Sequence, residues 1–207
     1  MERRFISGGG RPRGANARVS MHTRTDLRLF VGVVLQDGGL SDPHFGHCQA
    51  LRFAPVAVDR IIAHGAVISL GEMRLQVHEH PGHTEGSSSY SMTVTEAGRD
   101  YQVAIVNMGS INAGKQLTAE PTYDGVAQDF AQTYRKQKAM APDVWVAAHA
   151  SQFQRQAKYR PGQPYSPNTF VDRKGFFAAV TDYENAYLKQ VATETAAQQA
   201  PASQPDL

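Results

Sequence analysis

The sequence predicts an α/β domain on three observations: four short alternating segments between residues 66 and 106, an amphipathic stretch ended by a proline, and an apolar run followed by a second amphipathic stretch. Residues 66–70, 73–78, 89–95 and 101–106 read as strands, joined by the turn signals Gly71-Glu72 and Ala97-Gly98-Arg99-Asp100. Four strands in such close succession argue for a sheet. Across 124–140, Val126, Phe130, Tyr134 and Met140 fall on one helical face with Ala127 and Ala131, and Pro142 stops the helix. The run DVWVAAH follows, bounded by Pro142 and the polar Ser151-Gln152, and its unbroken apolar character predicts a strand buried on both faces. Phe176, Val180, Tyr183, Tyr187 and Val191 then step by four, three, four and four, which predicts a C-terminal amphipathic helix. Both helices keep a polar face, so they are expected to cover the sheet from outside.

The chain ends are expected to differ from this body. Residues 1–28 show neither a period of 3.6 nor one of 2, and their Arg/Gly-rich composition predicts a disordered leader. A short apolar run at 29–35 leads into the turn-rich QDGGLSDPHFGH, and FAPVAVDRII reads as loop followed by a short edge strand. The domain is expected over 29–191, with 192–207 (ATETAAQQAPASQPDL) a polar, disordered tail. No internal repeat is found.

Bulk composition narrows the function classes. With 207 residues, 41% hydrophobic and 19% charged, the chain has the make-up of one ordinary globular domain. The net charge of +2 is unevenly spread: residues 1–30 hold seven Arg against Glu2 and Asp26, leaving 14 basic and 17 acidic side chains for the rest. A mildly acidic body argues against nucleic acid as a partner. Cys48 is the only cysteine, which excludes an intramolecular disulfide and any Cys-based zinc knuckle. No apolar stretch is long enough to span a bilayer, and MERRFISGGG lacks the apolar core of a secretory signal. As written, the chain is expected in the cytoplasm and away from membranes.

Of the eight histidines, two sit where metal chemistry would use them. His83 follows the Pro81-Gly82 turn directly after a predicted strand, and His149 ends the run DVWVAAH where the chain leaves the sheet. Ligands of α/β sheets collect beyond the carboxyl ends of strands, and an imidazole binds zinc through a neutral ring nitrogen at roughly 2.0–2.1 Å. On spacing alone, a histidine after such a turn is more often a loop residue than a ligand. His78, His80 and His83 form an H-x-H-x-x-H run, with His78 and His80 on one strand face; Pro81-Gly82 swings His83 off that axis, which argues against a local triad. His22, His44, His47 and His64 read as residues of the leader or of surface turns.

The stretches HPGHTEGS, NMGSINAGKQL, EPTYDGVAQDFAQTYRKQKAMAPDVWVAAHASQF and RPGQPYSPNTFVDRKGFFAAV together resemble the metallo-β-lactamases of class B, third subclass. DGGLSDPHFGH and PVAVDRIIAHGAVISLG extend the likeness upstream, so it covers about residues 33–190. PGHTEGS is shared across the wider fold superfamily, whereas AHASQF and FVDRKGF favour this branch. The resemblance implies part of a four-layer αβ/βα sandwich, mainly its C-terminal half, with zinc as cofactor and a β-lactam as small-molecule substrate. It implies that His83 is the third histidine of a three-histidine zinc site and His149 the last ligand of a second site. It also implies that Ser110 and Asn112 line the substrate side, against the β-lactam carboxylate or carbonyl. His78 falls where relatives often carry a non-ligating histidine.

The chain departs from that family at one point. The upstream H-x-H-x-D-H motif, which supplies the remaining ligands, occurs nowhere in the sequence, and GGGRPRGANARVSMHTRTDLRLF stands in its place. Arg/Gly/Pro/Ala-rich composition is what out-of-frame translation of GC-rich DNA gives, so 1–28 is read as a non-native leader and the chain as inactive. Complete members of the family are expected in the periplasm or secreted. Three readings stand: a zinc-dependent β-lactam hydrolase, a non-catalytic remnant or interaction protein of the same fold, and a metallo-hydrolase of another ester or amide. His83 and His149 are expected close together at one sheet edge.

Overall fold

A computed structural model describes the backbone at Arg4–Ser7, Ala17–Thr23 and Leu27–Phe30 and residues 60–199, with side chains from residue 62. Strands β1 (Arg4–Ser7), β2 (Ala17–Thr23), β3 (Leu27–Phe30) and β4 (Arg60–Ile62) form one sheet in the order β3-β2-β1-β4. The backbone at the first three differs from the unstructured leader expected for 1–28: Phe5 is paired with Val19 and Met21 with Leu29. These segments are too short for periodicity to register against their Arg/Gly-rich surroundings. The rest of the leader, and with it His44, His47 and Cys48, lies outside the described residues.

The second sheet carries the candidate site. Strands β5 (Val67–Leu70), β6 (Met73–Glu79), β7 (Ser88–Glu96) and β8 (Arg99–Val106) form an antiparallel meander, and β9 (Val144–Ala147) joins β8 in parallel. Alternation decides the faces: Leu75 and Val77 of β6 are buried while Arg74 and Gln76, which alternate with them, are exposed. Leu75 and Val77 join Ile68, Tyr90 and Ile62 of β4 in one apolar cluster.

Helices α1 (Val126–Met140) and α3 (Arg173–Gln199), with the single turn α2 (Arg155–Lys158) between them in the chain, pack on the opposite face, where Ala104, Val106 and Trp145 meet Phe130, Tyr134, Phe176 and Val180 in the larger core. Trp145 stacks edge-on to Phe176 at 5.5 Å, and the rings of Tyr134 and Tyr187 lie 5.6 Å apart. Burying each such side chain contributes roughly 1.5–3 kcal/mol. The α/β reading and the outside position of both helices hold. Residue 141 takes a left-handed conformation and Pro142 follows it, so α1 ends where the proline predicts.

Two expectations change. The run DVWVAAH is the edge strand of its sheet, with Trp145 buried and Val144, Val146 and Ala147 only half-buried. Burial on both faces is not found: Trp145 is buried in the core under the helices while the residues beside it are half-buried, and a bridge from Val144 to Val171 lies on the outer edge. The tail expected at 192–207 is helical as far as Gln199, and the remainder lies outside the described residues.

That extension has a physical anchor in Glu194. Its Oε2 accepts from the backbone N–H of Leu117 and Thr118, both at 2.8 Å, and from the Thr118 hydroxyl at 3.0 Å. One turn earlier, Gln190 donates to the Lys115 carbonyl at 2.6 Å. Burial pushes the Glu194 carboxyl up, but hydrogen bonds from Gln190, Leu117 and Thr118 outweigh it and hold it below the usual range. At its other end, α3 is capped by Asp172, whose Oδ1 accepts from Gly175 N–H at 2.8 Å. Replacing Glu194 by Ala is expected to cost about 1–2 kcal/mol, the scale of hydrogen bonds to an exposed charge. Amide exchange would show the loss first at Leu117, Thr118 and the last two turns of α3, and unchanged protection there would refute the anchor.

Candidate metal centre

Strand direction decides which loops share an edge. Since β6 is antiparallel to β7, β7 antiparallel to β8, and β8 parallel to β9, strands β6, β8 and β9 all run the same way. The segments leaving their carboxyl ends therefore emerge at one sheet edge: 80–87 with His83, 107–112 with Ser110 and Asn112, and 148–154 with His149. Strands lie about 4.8 Å apart, so β6 and β8 stand two spacings, and β6 and β9 three spacings, from one another.

His83 is half-buried and fixed by a main-chain contact. Its Nδ1 lies 2.7 Å from the Ser110 carbonyl oxygen and 3.2 Å from the Ser110 hydroxyl. A carbonyl only accepts, so Nδ1 carries the proton and donates it. In its neutral form the ring then presents Nε2 as its lone-pair nitrogen, one of the two nitrogens through which a histidine binds a metal. His149 is exposed on its loop; its backbone N–H donates to Gln152 Oε1 at 3.1 Å and its carbonyl accepts from Gln152 N–H at 3.0 Å. Asn112 is half-buried, and its carbonyl accepts from Lys115 N–H at 3.1 Å.

Helix α1 supports the first two loops from below. Thr133 Oγ1 donates to the Pro81 carbonyl at 2.6 Å, Tyr134 OH to the Gly109 carbonyl at 2.6 Å, and Gln137 Nε2 to the Asn107 carbonyl at 2.7 Å. Burial raises the pKa of the Tyr134 phenol, which keeps it protonated as a donor. Glycine permits this closeness at two positions. A Cβ on Gly82, whose φ is +127°, would stand 2.8 Å from the Phe130 ring, and one on Gly109 would stand 2.6 Å from Tyr134 Cε1.

His64, His78 and His80 form a separate group at the β6 end of the same sheet. The rings of His78 and His80 stack at 6.1 Å, and His64 meets His78 edge-on at 6.0 Å. His64 and Glu79 are doubly tied: His64 N–H donates to Glu79 Oε1 at 3.1 Å, and Glu79 N–H donates to His64 Nδ1 at 3.2 Å. His78 Nε2 pairs with the Ser91 hydroxyl at 2.7 Å, and His80 Nδ1 with the Ser89 hydroxyl at 2.6 Å. His83 faces Ser110 instead, so the H-x-H-x-x-H run does not converge. Burial, then the nearby His64 and Lys136 charges, hold His78 below the ordinary imidazole range. Burial, followed by the His78, Lys136 and His64 charges, drives His80 down to about 3.

The chemistry of the donor set sets a limit. A catalytic zinc takes three protein ligands and keeps one open position. Among the described residues, no group of three His, Cys, Asp or Glu side chains comes together to hold a metal. His83 fits an ion by tautomer and His149 by placement at the same edge, yet these two do not complete a coordination sphere. Thr133, Tyr134 and Gln137 escape a sequence reading, because two of them are polar residues on what periodicity marks as an apolar face. No helix among the described residues is long and apolar enough to cross a membrane.

Solved structures resemble this chain closely. A class B3 di-zinc metallo-β-lactamase from an Alaskan soil metagenome matches with a TM-score of 0.70 and 38% identity, over 76% of this chain and 59% of its own length. The metallo-β-lactamase of Elizabethkingia meningoseptica matches with a TM-score of 0.72 and 36% identity, over 77% of this chain and 59% of its own. A subclass B3 metallo-β-lactamase of Bradyrhizobium japonicum matches with a TM-score of 0.69 and 31% identity, over 79% and 63%. The chain thus spans about 60% of the length of the structures it matches. No protein-family model matches it.

His80 yields a pH prediction. Its folded pKa of about 3 lies below the ordinary value of 6.5, so the unfolded chain binds the extra proton between those limits. The neutral ring's contribution is fully present above pH 6.5 and is lost as pH falls toward 3, an effect of roughly 3–5 kcal/mol. Chemical denaturation at pH 7 and pH 4 should show a much larger acid loss for the wild type than for His80→Leu. Equal losses would refute the assignment.

Proposed function

Starting from a chain that is a partial metallo-β-lactamase-fold protein, we propose that it derives from the zinc-dependent β-lactam hydrolases. Its loops after β6, β8 and β9 form part of their reaction site. The observation that carries this reading is His83: an imidazole with its Nδ1–H tied to the Ser110 carbonyl, which makes Nε2 the nitrogen a metal would use, at the edge where three strands end. His83 and His149 take the metal side, and Ser110 and Asn112 take the side facing a small anionic amide substrate. Zinc, where a full ligand set holds it, activates water and polarises the carbonyl under attack.

Among the described residues the candidate ligands are two imidazoles, on the loops after β6 and β9, and two do not fix a tetrahedral ion with an open position. This chain is accordingly assigned weak zinc binding and no turnover of its own.

The test has two arms. The purified chain with added zinc should show only background in a cephalosporin hydrolysis assay; robust turnover abolished by EDTA would overturn the proposal. A chimera in which a relative's upstream half, bearing its zinc motif, replaces residues 1 to 32 should hydrolyse the substrate. In that chimera, His83→Ala or His149→Ala should lower the rate about 100-fold or more, while His78→Ala should leave it within a few-fold. A chimera indifferent to His83 and His149 would remove them from the metal side.

A further inference from the structure

The inward face of α1 is more polar than its place in the core explains. Thr133 and Gln137 are both 0% exposed, on the same helix as Phe130 and Tyr134 of the main apolar cluster. A buried hydroxyl or amide costs stability unless it is hydrogen-bonded, and a mid-helix threonine ordinarily bonds back to its own helix four residues earlier. Thr133 does otherwise and donates across to Pro81. The Pro81 carbonyl stands two residues before His83. The Gly109 carbonyl, held by Tyr134, stands one residue before Ser110, whose own carbonyl receives the His83 proton. These contacts close a ring: from α1 to the β6 loop, through His83 to Ser110, and back through Gly109 to α1.

We propose that Thr133 and Tyr134 are positioning residues that set the tautomer and aim of the His83 imidazole by fixing both loops against α1. The inference rests on the reading of His83 as a metal-side imidazole and deepens it, naming what orients that ring. The ring's Nδ1–H bond spans two loops 27 residues apart in sequence. Neither loop holds the other's distance, and the helix holds both.

The experiment reads the imidazole directly, on the full chain, by 15N NMR of the histidine side chains. In the wild type, His83 should show a single tautomer, protonated at Nδ1, with that proton slow to exchange. Thr133→Val keeps the shape and removes the hydroxyl, and Tyr134→Phe does the same at the second loop. Either variant should mix the His83 tautomers and speed exchange of its Nδ1 proton about tenfold, with the His78 signals unmoved. Thr133→Ser should restore the wild-type pattern, which a purely packing role would not do. Should Thr133→Val fail to fold, Tyr134→Phe and Thr133→Ser decide. A His83 tautomer and exchange rate unchanged in Tyr134→Phe and in whichever Thr133 variant lacks the hydroxyl would overturn the proposal. Adding zinc alone to the wild type separates the two claims: a His83 signal that ignores the ion counts against the metal reading and leaves the positioning result intact.

Discussion

The structure depends on a satisfaction constraint at the helix–sheet interface: loop carbonyls carried beneath a helix and away from water must find donors. The loops after β6 and β8 turn over the inner face of α1, and their carbonyls at Pro81, Asn107 and Gly109 are met by Thr133, Gln137 and Tyr134. A fully apolar face could fill the same volume but would strand three acceptors. The helix therefore serves as core and as donor array at once, and its aromatic residues do the filling: Phe130 and Tyr134 press against Gly82 and Gly109 so closely that no side chain fits at either position.

This constraint separates the two histidine groups. His80 is buried, bound to Ser89, and held neutral by its surroundings, which makes it a structural imidazole. His83, three residues on, leaves the strand at the Pro81-Gly82 turn, and its Nδ1–H is tied to a main-chain carbonyl on the loop after β8. Two histidines three residues apart thus acquire opposite characters from one glycine turn. Class B3 metallo-β-lactamase structures match about three quarters of this chain, while the donor set at its sheet edge remains partial among the described residues.

Much of the fold was legible because its signals are local. Leu75 and Val77 alternate with Arg74 and Gln76, and Gly71, Gly98 and Pro142 mark the turns and the stop; each acts within a few residues. His83 was legible as a candidate from its turn, and with His149 from the resemblance. What periodicity misreads is burial that depends on partners. The edge position of β9 is hidden because Trp145 alone needs the helices, and its neighbours look equally apolar. The reach of α3 to Gln199 is hidden because Glu194 is anchored to Leu117 and Thr118, far away in the chain. Thr133 and Gln137 count as polar interruptions of an apolar stripe until the carbonyls they serve are seen.

The parallel pairing of β8 with β9 also orders events in time. The meander from β5 to β8 is made of neighbouring hairpins with small loop-closure entropy, so it can zip early. Val103 meets Val144 only after the intervening chain, α1 included, has crossed the sheet, and a parallel pair permits no shorter connection. The edge where three strands end is therefore finished last. The loops at that edge thus depend on contacts of high closure cost, those of α1, while the meander beneath them depends only on contacts of low cost.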